Sequence, residues 1–122
     1  MCVILAGILN QVDKARFIMN QCNEMERKHN IETCRSKLPH YAAHYLTSWR
    51  EPHAVTLRQY TQSYESGLRN GDLESSMWSL NFFSSFFPLM IGKNLIATTV
   101  EIPIALRQME DLKFLNSAKF YR

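Results

Sequence analysis

The sequence predicts an all-α protein of about five helices that pack as antiparallel hairpins. Apolar residues recur at steps of three and four along most of the chain, which is the spacing of one helix face. No stretch alternates apolar and polar residues over a useful strand length. Four glycines and four prolines are also few for an all-β chain of 122 residues, which needs a turn roughly every 8–12 residues. Short connections make sequential helices neighbours in space.

The first predicted helix carries an apolar stripe and has a polar residue at each end. Asp13 is placed to cap its start through the carboxylate, and Asn30 is placed to end it. The steps between the apolar residues predict one continuous helix. Its predicted inward stripe comprises Ile8, Val12, Ala15, Met19, Cys22 and Met25.

The second predicted helix covers residues 31–50 and contains a proline. Pro39 either kinks this helix or marks a later start near Lys37, because proline fits only the first turn of an unbroken helix. The residues predicted to point inward are Leu38, Ala42, Tyr45, Leu46 and Trp49.

The third predicted helix begins at Pro52, which suits a first helical turn. Gly71 is expected to adopt the left-handed conformation that ends a helix, and Asp72 is expected to cap the next one. The predicted apolar face of the third helix comprises Val55 or Leu57, Tyr60, Tyr64 and Leu68.

The fourth predicted helix starts at Leu73 and is apolar on more than one face, which indicates packing between neighbours. Pro88 and Gly92 are expected to end it. A fifth helix is predicted from Asn94 to about Leu115, with a kink or a break at Pro103. Residues 116–122 are expected to form a frayed tail, and residues 1–122 a single domain. The apolar residues of the fourth helix include Met77, Trp78, Leu80, Phe82, Phe83, Phe86 and Phe87.

The composition argues against several classes of protein. With 46% hydrophobic and 20% charged residues, the chain has the makeup of a globular domain. Its net charge of +3 is spread along the sequence, which is typical of a solvated surface and not of a nucleic-acid interface. The aromatic cluster of the fourth helix has no Lys or Arg between Glu74 and Lys93, so it predicts core packing and not a base-stacking platform.

The cysteines and the hydropathy indicate a cytoplasmic protein. Three cysteines at irregular spacing do not form a disulfide framework, and no Asn-x-Ser/Thr sequon occurs. No stretch approaches the roughly 20 apolar residues of a membrane helix. We therefore expect neither a membrane nor a nucleic acid as a partner.

One hairpin resembles a degenerate tetratricopeptide repeat. From Tyr60 to Pro88 the sequence follows the pattern Y-x3-Y-x2-G-L-x2-G-D-L-E-x-S-x3-L-x2-F-x4-P. Ser76 is the small residue after the turn, and Pro88 is the terminal proline. Ala15 occupies a similar place after Asn10, but the two turns are out of phase. The resemblance implies a short tetratricopeptide-like superhelix and not a regular array.

A second resemblance covers about half of the chain. Its motifs are W-R-E-P-H at residues 49–53, Y-E-S-G-L-R-N-G-D-L-E at 64–74, F-F-S-S-F-F at 82–87 and G-K-N-L at 92–95. They are similar to the helical segment of large signalling proteins that join a serine/threonine-kinase-like domain, an AAA-type ATPase, a GAF sensor and a histidine kinase or nucleotide cyclase. The resemblance implies a non-catalytic scaffold that links such domains, and a chain that is a fragment of a longer protein.

The residues with chemical potential lack the partners that known sites require. His40 and His44 share a helix face but have no evident third metal ligand, which favours a structural role. Cys22 lies on the apolar stripe, which favours core packing. Cys34 lies beside Arg35, which would activate an exposed thiol, and a pair with His29 or His40 stays open as the less favoured interpretation. Gly92-Lys93 lacks the glycine and the hydroxyl residue of a phosphate-binding loop. We expect no catalytic residue, no cofactor and no metal.

The best predicted binding surface is the non-core face of the third helix. Arg58, Thr61, Glu65 and Arg69 lie on it, and they suit an acidic or carboxylate-bearing peptide or a neighbouring domain of the parent chain. Exposed repeat ends also predict self-association. Two alternatives to the scaffold hypothesis are a standalone helical adaptor and a small metal- or thiol-dependent enzyme that uses His40 and His44 or Cys34.

Overall fold

The computed structural model describes residues 9–112, apart from the side chain of Thr33. Within that range the chain forms five helices and no strand, which confirms the predicted all-α class. The helices are α1 (Val12–His29), α2 (residues 37–50), α3 (His53–Asn70), α4 (residues 73–90) and α5 (Leu95–Asp111), and a 3₁₀ turn, Glu32–Cys34, precedes α2. The predictions for residue Ile8, for the tail at 116–122 and for a last helix reaching Leu115 fall outside the described residues.

Most of the predicted helix ends are formed by the expected residues. Asn30 adopts a left-handed conformation after α1, and Gly71 does the same after α3. The Asp72 carboxylate accepts a hydrogen bond from the backbone N–H of Ser75 at 3.3 Å and so caps α4. The prediction for Asp13 is wrong. Residue Gln11 occupies the capping position without a side-chain hydrogen bond, and Asp13 lies in the first turn.

The prolines differ in what they do to the helices. Pro39 is the third residue of α2, so the later start near Lys37 is confirmed. Pro88 does not end α4, which continues to Met90 before Gly92 turns the chain at a φ of 72°. Pro103 lies inside α5 without breaking it.

Helices α2 and α4 each contain a π-helical segment, at Ala43–Thr47 and at Phe82–Phe86. Each wider turn rotates the chain by a smaller angle per residue, so the later side chains point in a different direction from those of a regular α-helix. This change of direction explains why the prediction for Trp49 is wrong. Trp49 lies on the predicted inward stripe of α2, but its side chain is 71% exposed because it follows the π-helical segment.

The core consists of three small clusters that join consecutive helices. Ala15 and Met19 of α1 pack on Ala42 and Leu46 of α2. The other clusters link α2, α3 and α4 around Tyr60, Phe87 and Ala43, and α4 and α5 around Met77 and Met109. The most extensive helix contact is between α3 and the first part of α4. Met25, which belongs to the predicted stripe of α1, is exposed.

Candidate functional site

Helix α3 buries a face that is made mainly of small and polar side chains. Threonine, serine and glycine do not count as apolar residues in the sequence pattern. The apolar periodicity therefore predicted an inward face made of other residues. Val55 and Leu68, which the sequence analysis placed inward, are exposed. The true inward face is therefore rotated about the helix axis. It comprises Thr56, Tyr60, Ser63 and Gly67.

A groove lies between α1 and α3, with α2 as its floor; we call it the α1–α3 groove. It consists of two cavities of about 340 and 280 Å³ that share Asn23. Leu38, Pro39 and Ala42 form part of the floor. The residues that α3 contributes are Val55, Gln59, Gln62, Glu65, Ser66 and Arg69.

The structure brings two of the four predicted binding residues into this groove. Glu65 and Arg69 line its wider end, whereas Arg58 and Thr61 are exposed elsewhere on α3 and do not line either cavity. Thr61 instead donates a hydrogen bond to the carbonyl oxygen of Leu57 at 3.1 Å. The rotation of the inward face of α3 accounts for this displacement.

Three arginines surround the wider end of the groove. Arg35 donates to Glu26 at 2.8 Å and also to the side chain of Asn30. Arg69 contacts Glu65, one helical turn away, at 3.4 Å, and both side chains are exposed, so this pair is weak. Arg27 forms no ion pair with any residue between positions 9 and 112. One cation is therefore available to an anionic partner, and a second is held loosely.

Two ion pairs join α1 to the end of α2 near the narrower end of the groove, and Arg16 and Glu51 of one pair line it. Arg16 binds Glu51 at 3.0 Å, and Arg50 binds Asp13 at 2.7 Å. Their side chains are largely solvent-accessible, so each pair contributes little to the stability of the contact between α1 and α2. Both pairs neutralise the charge at this end, which leaves the wider end as the cationic part.

A chain of hydrogen bonds runs beneath the groove through α2, α3 and α4. Ser63 donates to the carbonyl oxygen of Ser36 at 2.6 Å, and Ser79 donates to the Ser63 hydroxyl at 2.7 Å. Since Ser79 has only one proton, its oxygen must accept from His40, whose Nδ1 lies 2.8 Å away. The network therefore assigns the proton of neutral His40 to Nδ1.

The protonation of this network is set by burial. Burial lowers the pKa of His40, and repulsion between His40 and His44 in their charged forms lowers it further. The negative charge of Asp72 raises this pKa by a smaller amount, so that the pKa of His40 is about 4. The carboxylate of Asp72 accepts from the Ser36 hydroxyl at 2.5 Å. Although burial opposes ionisation, the hydrogen bonds from Ser36 and Ser75 lower the pKa of Asp72. Neutral His40 and ionised Asp72 thus stabilise the contact of α2 with α3 and α4 at neutral pH.

The other candidate residues of the sequence do not assemble into a site. The rings of His40 and His44 are parallel, with centroids 6.3 Å apart, and burial lowers the pKa of His44. No group of three potential metal ligands occurs among the residues that the structure describes. Cys22 and Cys34 are half-buried free thiols.

The sequence matches no protein-family model, no curated protein and no solved structure. In the described part of the chain, none of the helices combines the length and the apolar character that crossing a membrane requires.

Proposed function

We propose that the chain is a non-catalytic helical interaction module that binds an acidic segment of a protein in the α1–α3 groove. The observation that carries this proposal is the set of arginines at the wider end. Arg27 lacks an ion pair among the described residues, and Arg69 has only a long contact with Glu65. A carboxylate placed between them would form charge-assisted hydrogen bonds without first breaking a strong ion pair.

The shape of the groove also supports a peptide as the partner. Its two cavities follow each other along α1 and α3, so an extended segment could lie over the α2 floor. Leu38 and Pro39 offer apolar contact beside the arginines. A ligand with acidic residues near apolar ones therefore complements the groove better than a uniformly charged one.

Fluorescence anisotropy with labelled peptides tests this proposal. The probe is a 12-residue peptide that contains Glu, Leu and Ser, and its control replaces every Glu with Gln. We expect the acidic peptide to bind more tightly and its affinity to fall as salt is raised. Equal binding of both peptides would refute the proposal.

Matched arginine variants locate the binding surface. Arg27→Gln and Arg69→Gln should each weaken the acidic peptide by roughly 3- to 10-fold, the loss expected for an exposed charge-assisted contact. Arg58→Gln is the control, since Arg58 is exposed on α3 but does not line the groove. If Arg58→Gln alone weakened binding, the partner would use the face that the sequence analysis predicted.

The biological setting that we propose comes from the sequence motifs alone. On their resemblance to large signalling proteins, the acidic segment belongs to a neighbouring domain of the same cytoplasmic chain, and the module links an ATPase to a sensor kinase. A standalone helical adaptor is the alternative. The coding sequence on either side of this segment distinguishes the two, because only the linker requires ATPase and sensor domains there.

A further inference from the structure

A separate cavity of about 360 Å³ lies on the other side of α2, between α2, α3 and α4. It shares no lining residue with the α1–α3 groove, because it uses the face of α2 that carries His44, Tyr45, Ser48 and Trp49. Tyr60 of α3 and three residues of α4 complete it; these are Phe82, Phe87 and Met90. We call it the aromatic cavity.

Both π-helical segments border the aromatic cavity. His44 and Tyr45 belong to the segment of α2, and Phe82 begins the segment of α4. π-Helical residues make up well under about 1% of globular proteins and occur often at functional sites, because they re-aim side chains at some cost in stability. Here the segment of α2 brings Trp49 to the cavity in place of the core. Two such segments around one cavity indicate a use beyond packing.

Several aromatic rings line the cavity and lie within contact distance of one another. Tyr60 and Phe82 are parallel within 7°, with centroids 5.9 Å apart. His44 lies 4.4 Å from Phe82 in a tilted arrangement, centroid to centroid. Trp49 adds a large exposed ring. Trp49 therefore presents the open ring face of the cavity, and the aromatic lining beside it favours a planar ring over a saturated ring of the same size.

The lining of the aromatic cavity offers no charged partner to a ligand, because burial lowers the pKa of His44 and keeps its ring neutral at neutral pH. No Asp, Glu, Lys or Arg lines the cavity. The Ser48 hydroxyl is already used, since it donates to the carbonyl oxygen of His44 at 3.2 Å. Tyr60 is 2% exposed, and its hydroxyl forms no hydrogen bond with any residue in the described range. The Tyr60 hydroxyl oxygen is not one of the fully buried atoms that lack a partner in the described range, so it stays accessible and can donate to a ligand atom that accepts a hydrogen bond.

We propose that the aromatic cavity binds a neutral, planar heteroaromatic molecule of about two fused rings, which stacks on Trp49 and Phe82 and accepts a hydrogen bond from the Tyr60 hydroxyl. The absence of a charged lining residue disfavours an anionic or cationic ligand, because its charge would be buried without a partner. The cavity volume lies at the small end of the range for ligand sites, which sets the size of the ring system.

The experiment is a ¹H–¹⁵N NMR titration that follows the indole N–H of Trp49, assigned by its loss in Trp49→Phe. Quinoline is the probe, since it is neutral at pH 7.5, planar and carries one acceptor nitrogen. We expect saturable shifts at Trp49 and at backbone amides of both π-helical segments. Decahydro-2-naphthol, of similar size but neither planar nor aromatic, should bind at least about 3-fold more weakly.

Two variants test the assigned roles. Trp49→Ala removes an exposed side chain, so the fold should persist by circular dichroism while quinoline binds roughly 3- to 10-fold more weakly. Tyr60→Phe should weaken quinoline by about 2- to 10-fold but leave naphthalene, which has no acceptor, unchanged. Equal affinity for decahydro-2-naphthol, or tighter binding of tetramethylammonium than of quinoline, would overturn the proposal.

Discussion

Gly67 and Ser76 set the distance between α3 and α4. The Ser76 hydroxyl donates to the carbonyl oxygen of Tyr64 at 3.0 Å, across the two helices. A Cβ atom at position 67 would lie 2.7 Å from the carbonyl oxygen of Asp72 and would also collide with Ser76. The spacing of Gly67, Asp72 and Ser76 is visible in the sequence, where Ser76 is the small residue after the turn of the tetratricopeptide-like pattern. The close approach itself required coordinates.

Gly67→Ala is expected to destabilise the protein by about 2–4 kcal/mol, in spite of the higher helix propensity of alanine. Part of the collision is with backbone, so a side-chain rotation cannot relieve it. Urea unfolding followed by circular dichroism measures the change. Ser66→Ala, one position earlier on α3, is the control and should stay within about 0.5 kcal/mol. A neutral Gly67→Ala would mean that α3 and α4 separate easily.

The protonation of His40 makes stability depend on pH. Its pKa is about 4 in the folded protein against an ordinary value of 6.5, so the unfolded chain takes up a proton first as the pH falls. Stability is therefore complete above pH 6.5 and decreases towards pH 4, by roughly 3 kcal/mol for this group. His44, whose pKa is also lowered, acts in the same direction. The lowered pKa of Asp72 costs stability only at still lower pH.

Urea unfolding at several values between pH 7.5 and 4.5 measures this dependence. His40→Gln keeps a donor for Ser79 but cannot titrate, so its stability should change much less over the same range. His44→Gln serves as the comparison and should remove only the part due to His44. An unchanged pH dependence in His40→Gln would show that the titrating group lies elsewhere.

The inward face of α3 shows where sequence reasoning fails at the residue scale. The apolar pattern identified Tyr60 correctly, but Thr56, Ser63 and Gly67 pack inward without being apolar. A prediction based on hydrophobicity therefore rotates the predicted inward face, and it cannot show that Arg58 and Thr61, although exposed, lie away from the groove. Hydrogen bonds such as that from Ser63 to Ser36 make this polar packing possible, and they join residues 27 positions apart. No local pattern encodes such a contact.

At the scale of the helix, ends were easier to predict than interiors. Asn30, Gly71 and Asp72 act through their own side chains or φ angles, so local sequence suffices to find them. The π-helical segments could not be predicted, because a single wide turn has no distinctive composition. Their effect is large, since Trp49 moves from the predicted core to the aromatic cavity. Both segments lie where α2 and α4 meet the aromatic residues of the core.

Helix α5 contains an exposed proline whose replacement should stabilise the protein. Pro103 cannot donate the backbone hydrogen bond that a helix interior provides. We expect Pro103→Ala to raise the free energy of unfolding by about 1–2 kcal/mol, less than the full helix-propensity difference because proline also restricts the unfolded chain. Thermal unfolding measures this. Arg107→Ala, an exposed change on the same helix, is the control. A destabilised Pro103→Ala would mean that the proline shapes the packing of the buried residues Ala105 and Met109.

At the scale of the whole molecule, the first and last described helices expose apolar surface. On α5, Ile96, Val100 and Ile104 form a stripe at steps of four and are 76%, 65% and 58% exposed. On α1, Phe17 is 65% exposed. A stripe without charge is complementary to a copy of itself, because neither side then buries an unpaired ion. We therefore predict that the chain self-associates through α5.

Sedimentation velocity at protein concentrations from about 5 to about 200 μM tests this association, because this range suits a contact of micromolar affinity. The unchanged chain should sediment faster as its concentration rises, and Val100→Asp should abolish that increase, because a second copy would bury the new carboxylate without a partner.

Phe17→Asp places the same charge on α1 and distinguishes the two possible geometries of the association. If α5 packs on α5 in a two-fold dimer, Phe17→Asp leaves association intact. If α5 packs on α1 of the next copy in a head-to-tail contact, both variants prevent association, and the unchanged chain forms rings or open-ended assemblies. Monomeric behaviour of the unchanged chain at every concentration would refute the prediction.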